Sequence, residues 1–329
     1  MYRGINMKEP LYIVSDGILK REGNTLFFVN KDEKKALPIE HLSDIYCYGK
    51  VSLKSGASSL LMKMGLPTHF FNHYGYYEGS LYPKDQLNSG LVVVEQSRHY
   101  IDKEKRIIIA TEFVKGIKHN ILQTLKYYEK KEKNLEEIIK NIDSLNIYGD
   151  IPTLRGIEGE IWENYYKSFP KIIKFFEFNK RERQPPSNEI NALISFGNSL
   201  LYSTVLSEIY NTYLHPSISY LHEPLERRFS LALDIADIFK PIIIERLIFN
   251  LVNNKYINED EFDKEIGVFL NEKGKRIFLK EYKEKLDTTI QHPSLKRKVS
   301  YRYLIRLECY KLLKHIVGDK EYISFRMWW

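Results

Sequence analysis

Four side chains carry the chemistry this sequence offers: two aspartates, a glutamate and a histidine, each in surroundings that call for an explanation. Asp234 and Asp237 sit in FSLALDIADIF, residues 229–239, where Leu231, Leu233, Ile235, Ile238 and Phe239 make the segment apolar on most faces, the pattern of a buried helix. A spacing of three puts both carboxylates on one side. A buried carboxylate costs several kcal/mol or gives up its charge, and two on one side repel. Something positive should meet them. An interhelical salt bridge to a residue such as Arg227 or Arg246 would serve, and so would a metal ion.

Glu158 lies in RGIEGEIWENYY, residues 155–166. Steps of three and four from it reach Trp162, Tyr165 and Phe169, whereas Glu160 and Glu163 fall toward water. Gly156 and Gly159 flank it. Each glycine costs a helix about 1 kcal/mol against alanine, which the close approach of a backbone or a ligand would offset. A glutamate placed in a first helical turn by the dipole is the other explanation. His222 precedes the aspartate segment in SYLHEPLERRF, with Pro224 fitting near the start of that helix. A neutral imidazole ligates metals, and a lone histidine also serves as a structural hydrogen-bonder. His222-Glu223 begins like H-E-x-x-H, but the second histidine is missing, which excludes that zinc-protease motif. One Glu, one His and one or two Asp make a mixed oxygen–nitrogen donor set, suited to Mg²⁺ or Mn²⁺ rather than to a closed zinc site. An open divalent site of that kind serves phosphodiester chemistry.

The elements that must position these groups fall into two regions. Residues 1–82 read as strand and turn: LYIVS before Asp16-Gly17, ILKRE and TLFFVN around Gly23-Asn24, and THFFN and YYEGSLY around the turn Asn72–Gly75. SSLLMKMG carries one short helix that Gly65 would end. The polar stretch YPKDQLNSG reads as a linker. After it the apolar spacing turns to three and four, in KRIIIATEFVKGIKHNILQTLKYY, NALISFGNSLLYSTVLSEIYNTYL, FSLALDIADIFKPIIIERLIFNLV and SYRYLIRLECYKLLKHIV. The fold class is α+β: a small β-rich, sandwich-like domain over residues 1–88, then a larger all-α domain over 89–329 that carries the catalytic residues.

The 329 residues suit two domains. No apolar run reaches the ~18 residues a membrane span needs, and the N-terminus lacks a signal-peptide core. Cys47 and Cys309 are far apart and lack metal spacing, so a reduced cytoplasm is the simple expectation. The net charge of +7 and isoelectric point near 9.0 agree with a polyanionic partner and equally with an ordinary basic enzyme.

RGIEGEIWENYY, PPSNEINALISFGNSLLY and ISYLHEPLERRFSLALDIADIFKP, in this order, resemble the CRISPR-associated integrase–endonuclease family, the larger subunit of CRISPR adaptation. ALPIEHLSDIYCYG, THFFNHYGYYEGSLYP and the ending FRMWW are similar to it too, so the resemblance spans nearly the whole chain. It is closest to the branch that accompanies type I-B systems. The resemblance implies that Glu158, His222 and Asp237 are the metal ligands and catalytic residues, with Asp234 supporting them. His215 stands where the family pattern has Asp or Asn and, preceding Pro216, reads as a turn residue. The implied reaction is a transesterification. The 3′-hydroxyl of a short spacer duplex attacks a phosphodiester at the edge of a CRISPR repeat, aided by Mg²⁺ or Mn²⁺. The implied partners are spacer and repeat DNA, a second copy of the chain through the β-rich domain, and a small ferredoxin-like adaptation subunit. A stand-alone nuclease acting on branched repair intermediates, or a non-catalytic DNA-binding scaffold, are the rival readings.

For DNA contacts, Lys298, Arg302 and Arg306 are spaced four apart, as a basic stripe on one helical face would be. Arg227 and Arg228 sit close to His222, and Tyr165 lies one to two turns from Glu158. Phosphate contact is the functional reading of these six residues; solvated surface, or core packing for Tyr165, is the plain one.

Overall fold

Short runs of β-branched and aromatic residues, punctuated by glycine and asparagine, build the first part of the chain. The computed structural model describes residues 8–83, 89–131, 134–183, 185–224 and 229–328. Two compact units divide the chain, Met1–Gln86 and Leu87–Trp329. In the first, eight strands run as β1 (Glu9–Ile13), β2 (Gly17–Glu22), β3 (Thr25–Val29), β4 (Lys34–Leu37), β5 (Leu42–Cys47), β6 (Val51–Leu53), β7 (Thr68–Phe71) and β8 (Tyr77–Leu81), with helix α1 (Ser55–Lys63) between β6 and β7. They form two four-stranded sheets, ordered β1-β5-β7-β8 and β4-β3-β2-β6. Each sheet mixes parallel and antiparallel pairs: β5 runs parallel to β1 and β7, and β2 is antiparallel to β3 but parallel to β6. Gly23, at φ +60°, supplies the left-handed residue of the two-residue β2–β3 turn. One core holds Ile13 and Ile45 from the first sheet, Leu19 and Leu26 from the second, and Leu60 and Leu61 from α1. The alternating pattern on two sets of strands thus closes on a single apolar layer.

The second unit is helical. Its helices are α2 (Gly90–Ile101), α3 (Lys103–Glu129), α4 (Glu136–Ser144), α5 (Ile151–Tyr166), α6 (Phe169–Ile172), α7 (Glu189–Tyr210), α8 (Ser230–Lys240), α9 (Arg246–Asn253), α10 (Glu272–Asp287) and α11 (Tyr301–Ile316). It is not all-α. Two antiparallel pairs interrupt it, β9 (Phe262–Asp263) with β10 (Phe269–Leu270), and β11 (Thr289–Gln291) with β12 (Lys298–Ser300). Strands of two or three residues are too short to impose a period on a sequence. Helix α3 packs against α5 and α8, and α7 packs against α8. Thus the two helices that bear the acidic candidates share a neighbour.

The block from Phe229 to Val252 is not one regular helix. Pro241 cannot donate to the helical ladder and crowds the preceding turn. The chain widens into a π-helical turn over Pro241–Glu245 before resuming as α9. Carbonyls near the break are met from α3: the Asn120 amide donates to Ile238 O at 2.9 Å and Thr124 Oγ1 to Pro241 O at 3.2 Å. Asn120 also ties down the C-terminal segment, donating to Phe325 O and accepting from Met327 N–H at 2.8 Å. Among the described residues no helix is long and apolar enough to cross a membrane. Cys47 and Cys309 are both buried free thiols.

Candidate active site

Asp150 caps α5 by accepting the Thr153 N–H, with Pro152 in the first turn. Glu158 therefore lies well inside the helix, and the first-turn explanation for it does not apply. A Cβ added at Gly156 or Gly159 would meet nothing within 4 Å. Among the described residues no other segment's backbone approaches these glycines. Trp162, one turn on, is buried, and Tyr165 is wholly buried against Phe169, their ring centroids 5.3 Å apart. Tyr165 packs the core and is not placed to touch a scissile strand: a large ring on the inner face of an amphipathic helix goes where apolar area is removed from water.

Asp234 and Asp237 are both buried on α8, and each meets a different partner. Asp234 organises the loop before the helix. Its Oδ2 accepts the backbone N–H groups of Tyr220 (2.8 Å) and Leu221 (3.1 Å). Its Oδ1 accepts from His222 N–H (3.0 Å) and pairs with His222 Nδ1 at 2.7 Å. Fixing Nδ1 leaves Nε2 as the ring's outward-facing nitrogen. The same loop is held from the other side by Arg106, which donates to Tyr220 O at 2.9 Å and pairs with Glu223 at 2.7 Å, and by Tyr100, whose hydroxyl donates to Glu223 at 2.9 Å. Pro224 lies in this loop, six residues before α8 begins at Ser230, rather than in the first turn of the helix. His215 serves its own turn, its Nδ1 accepting the Ser217 N–H at 3.3 Å.

Asp237 is ion-paired with Lys240, one turn along α8, although the contact lacks hydrogen-bond geometry and Asp237 Oδ1 is left without a hydrogen bond. Among the described residues, the positive charges that meet the two aspartates are His222 and Lys240. Arg246, one of the residues considered for that role, lies instead with its guanidinium 4.3 Å from the Tyr127 ring centroid. Arg227, the other, and its neighbour Arg228 fall outside the described residues. Lys240 was legible in the sequence, three residues beyond Asp237 in the last turn of an acidic helix.

Electrostatics tie Glu158 to the same place. Burial pushes its carboxyl up to about 7, with the Asp237 charge adding to the rise, while His222, Lys240 and a hydrogen bond from Trp162 oppose it. For His222, burial alone would lower the imidazole. The hydrogen bond to Asp234 and the charges of Asp234, Asp237 and Glu158 outweigh it and lift the ring to about 9. A glutamate from α5, a loop histidine and two aspartates from α8 therefore act on one another within a single site. As they stand they do not form a ligand cage: among the described residues no group of three or more His, Cys, Asp or Glu is placed to hold a metal ion. The donors nevertheless fit an oxygen-preferring divalent cation, with two carboxylates, one imidazole and a buried Asp237 oxygen that accepts no hydrogen bond.

Behind the site, on the π-turn, Glu245 is fully buried, and neither carboxylate oxygen has a hydrogen-bond partner. Burial holds it up at about 7. It was not singled out in the sequence, because PIIIERL has no period that predicts which way Glu245 faces once the helix widens.

The basic stripe does not exist as drawn. Lys298 is exposed on strand β12, ahead of α11. Arg302 and Arg306 are on α11, but both turn to the buried carboxylate of Glu208 on α7, at 3.6 and 2.6 Å. A carboxylate buried on α7 needs neutralising, and that need turns both arginines toward it, burying most of Arg302 and leaving Arg306 about a third exposed.

The family model described as CRISPR associated protein Cas1 matches residues 11–284. A CRISPR-associated protein Cas1 of Methanobrevibacter ruminantium is 50% identical over 325 residues, 98% of this chain and 99% of that one. A CRISPR-associated endonuclease Cas1 of Fusobacterium nucleatum is 44% identical over 336 residues, 99% of this chain and 98% of that one. Among solved structures, a Cas1 protein from Thermotoga maritima superposes with a TM-score of 0.86 at 42% identity, covering 97% of this chain and all of that one. A casposase bound to its integration product shares the fold, with a TM-score of 0.85 at 19% identity over 96% of this chain and 92% of that one.

Proposed function

Because the chain belongs to the Cas1 family of CRISPR-associated proteins, we propose that it is a nuclease–integrase of CRISPR adaptation and that Glu158, His222 and Asp237 are its catalytic metal ligands. The observation that carries the reading is the convergence of these three residues, from α5, a loop and α8, on one electrostatically linked site. The endonuclease named among its relatives and the casposase that shares its fold support the same class of chemistry.

Glu158, His222 and Asp237 would hold a Mg²⁺ or Mn²⁺ ion, which would supply Lewis-acid chemistry when bound. The protein's own groups do the rest. Asp234 fixes the tautomer and direction of His222. Arg106 and Tyr100 hold the loop that carries it. Lys240 keeps a positive charge beside Asp237, where phosphate charge accumulates. The 3′-hydroxyl of a spacer duplex attacks a phosphodiester at the repeat edge; one P–O bond forms as another breaks, and the displaced 3′-oxygen leaves with a proton. No covalent enzyme intermediate is required, since DNA supplies its own nucleophile. Water in place of the hydroxyl gives hydrolysis at the same site. The partners that go with this reading are spacer and repeat DNA, a second copy docked through the β-rich unit, and a small ferredoxin-like subunit.

The test is strand joining with a 3′-hydroxyl duplex, a supercoiled repeat plasmid, Mn²⁺ and the small subunit. Asp237→Ala and Glu158→Ala should each lower joining by at least ~10³-fold while duplex binding persists. Joining at the wild-type rate by either variant would remove that residue from the site, and plasmid hydrolysis without joined product would favour a plain nuclease.

A further inference from the structure

A cavity of about 570 Å³ opens in the second unit between the end of α3, α9 and α10, and none of Glu158, His222 or Asp237 lines it. Four cations face it, Lys131, Lys174, Arg246 and Lys285, against two carboxylates, Glu281 and Glu284. Like charges brought together in a partly buried space repel, and an anion relieves them.

Lys285 is the informative member. Its ammonium lies 4.2 Å from the Tyr301 ring centroid. Glu284, its neighbour in sequence, reaches instead toward Lys280, at 4.0 Å. Burial, reinforced by the Arg246 charge, pushes Lys285 down to about 7. The tyrosines tell the same story: Arg246 and Lys131 both sit over the Tyr127 ring, at 4.3 and 4.5 Å from its centroid. The remaining wall is aromatic and amide, with Tyr128, Phe249, Asn250 and Asn254. A phosphate alone would fill little of this space, which is in the range of small-molecule sites, on the order of 300–1,000 Å³.

We propose that this cavity is a second ligand site, which takes a phosphate monoester with its attached nucleoside, the phosphate between Arg246 and Lys285 and the base against the aromatic and amide wall. A monoester carries nearly two negative charges near neutral pH, against one for a phosphodiester. It therefore matches a pair of cations where an internal backbone phosphate would not. The ligand is either a free mononucleotide or the 5′-phosphorylated end of a strand; both present the same group.

Calorimetric titration of the full chain with dAMP, deoxyadenosine and inorganic phosphate tests this. We expect dAMP to bind and deoxyadenosine not to. Lys285→Met should weaken dAMP at least about tenfold, as loss of a charge-assisted contact does, whereas Lys285→Arg should retain it. Arg246→Gln serves as the second variant should Lys285→Met fail to give a cooperative melt. A single strand with and without a 5′-phosphate separates the sources: preference for the phosphorylated strand over dAMP assigns the strand end, and the reverse assigns the free nucleotide. Unchanged dAMP binding in Lys285→Met and Arg246→Gln, or no binding by the wild type at millimolar dAMP, would overturn the site. Equal affinity for inorganic phosphate and dAMP would overturn its nucleoside part. The readout is independent of strand joining, so this site and the catalytic assignment stand or fall separately.

Discussion

Asp234 shows how one carboxylate sets the loop that carries His222. It accepts three backbone N–H groups and pairs with the His222 ring, so its charge is spent on geometry rather than on substrate. Asp234→Asn keeps the size but loses the charge and half the acceptor capacity. The His222 imidazole should then titrate well below its present value near 9, and activity should fall about 10- to 100-fold, as it does when a histidine's outer partner is lost. An NMR pH titration of His222 that shows no change would remove Asp234 from this role. Glu245 is the opposite case, a fully buried carboxyl whose charge is disfavoured chiefly by burial. Its folded value near 7 is raised above the ordinary 4.5. It therefore contributes stability that is complete below pH 4.5 and is lost as pH rises through 7. Glu245→Gln should remove that dependence and be more stable than the wild type at pH 8, by roughly 1–3 kcal/mol. Denaturant melts at pH 5 and pH 8 measure it, and parallel losses in both proteins would contradict the assignment.

At the scale of elements, the second unit uses ion pairs to fix helices that the apolar pattern leaves free to slide. Arg306 on α11 reaches Glu208 on α7 at 2.6 Å, with Arg302 at 3.6 Å behind it. Removing one partner of a buried pair exposes the cost of the other, about 3 kcal/mol. Arg306→Ala should therefore lower stability by about that amount and leave the salt dependence of duplex binding unchanged. A flatter salt slope with unchanged stability would return Arg306 to the DNA surface. The π-turn after α8 is a second such device. Pro241 forces it, and with the turn comes the burial of Glu245, within reach of the Asp237 and Lys240 charges.

For the molecule as a whole, the end of the chain reaches back to the helices that carry the site. Phe325 stacks on Phe239 at 5.1 Å, and Asn120 holds both the C-terminal backbone and Ile238, the residue after Asp237. Tyr322 and Phe325 also reach the buried Glu308 through a hydroxyl and an N–H. Deleting residues 321–329 removes the buried side chains of Tyr322, Phe325 and Met327, each worth roughly 1.5–3 kcal/mol. The truncated chain should unfold at clearly lower denaturant and lose activity with intact Glu158, His222 and Asp237. Full stability after truncation would show that the segment is only a passenger.

Local patterns determined much of this in advance. The hairpin at Gly23-Asn24, the end of α1 at Gly65, the buried aspartates of an apolar helix and the aromatic face below Glu158 all follow from short-range periodicity and turn chemistry. The same local patterns mark Glu158, His222, Asp234 and Asp237 as chemically odd residues, each in its own segment. Spacing could not say which cation answers which anion, because that depends on contacts between residues far apart in the chain. Only the tertiary structure gave Arg302 and Arg306 to Glu208 and His222 to Asp234. The physical reason is the same each time: burying a charge costs more than any local preference supplies, so the nearest available partner in space takes it, whatever its distance in sequence.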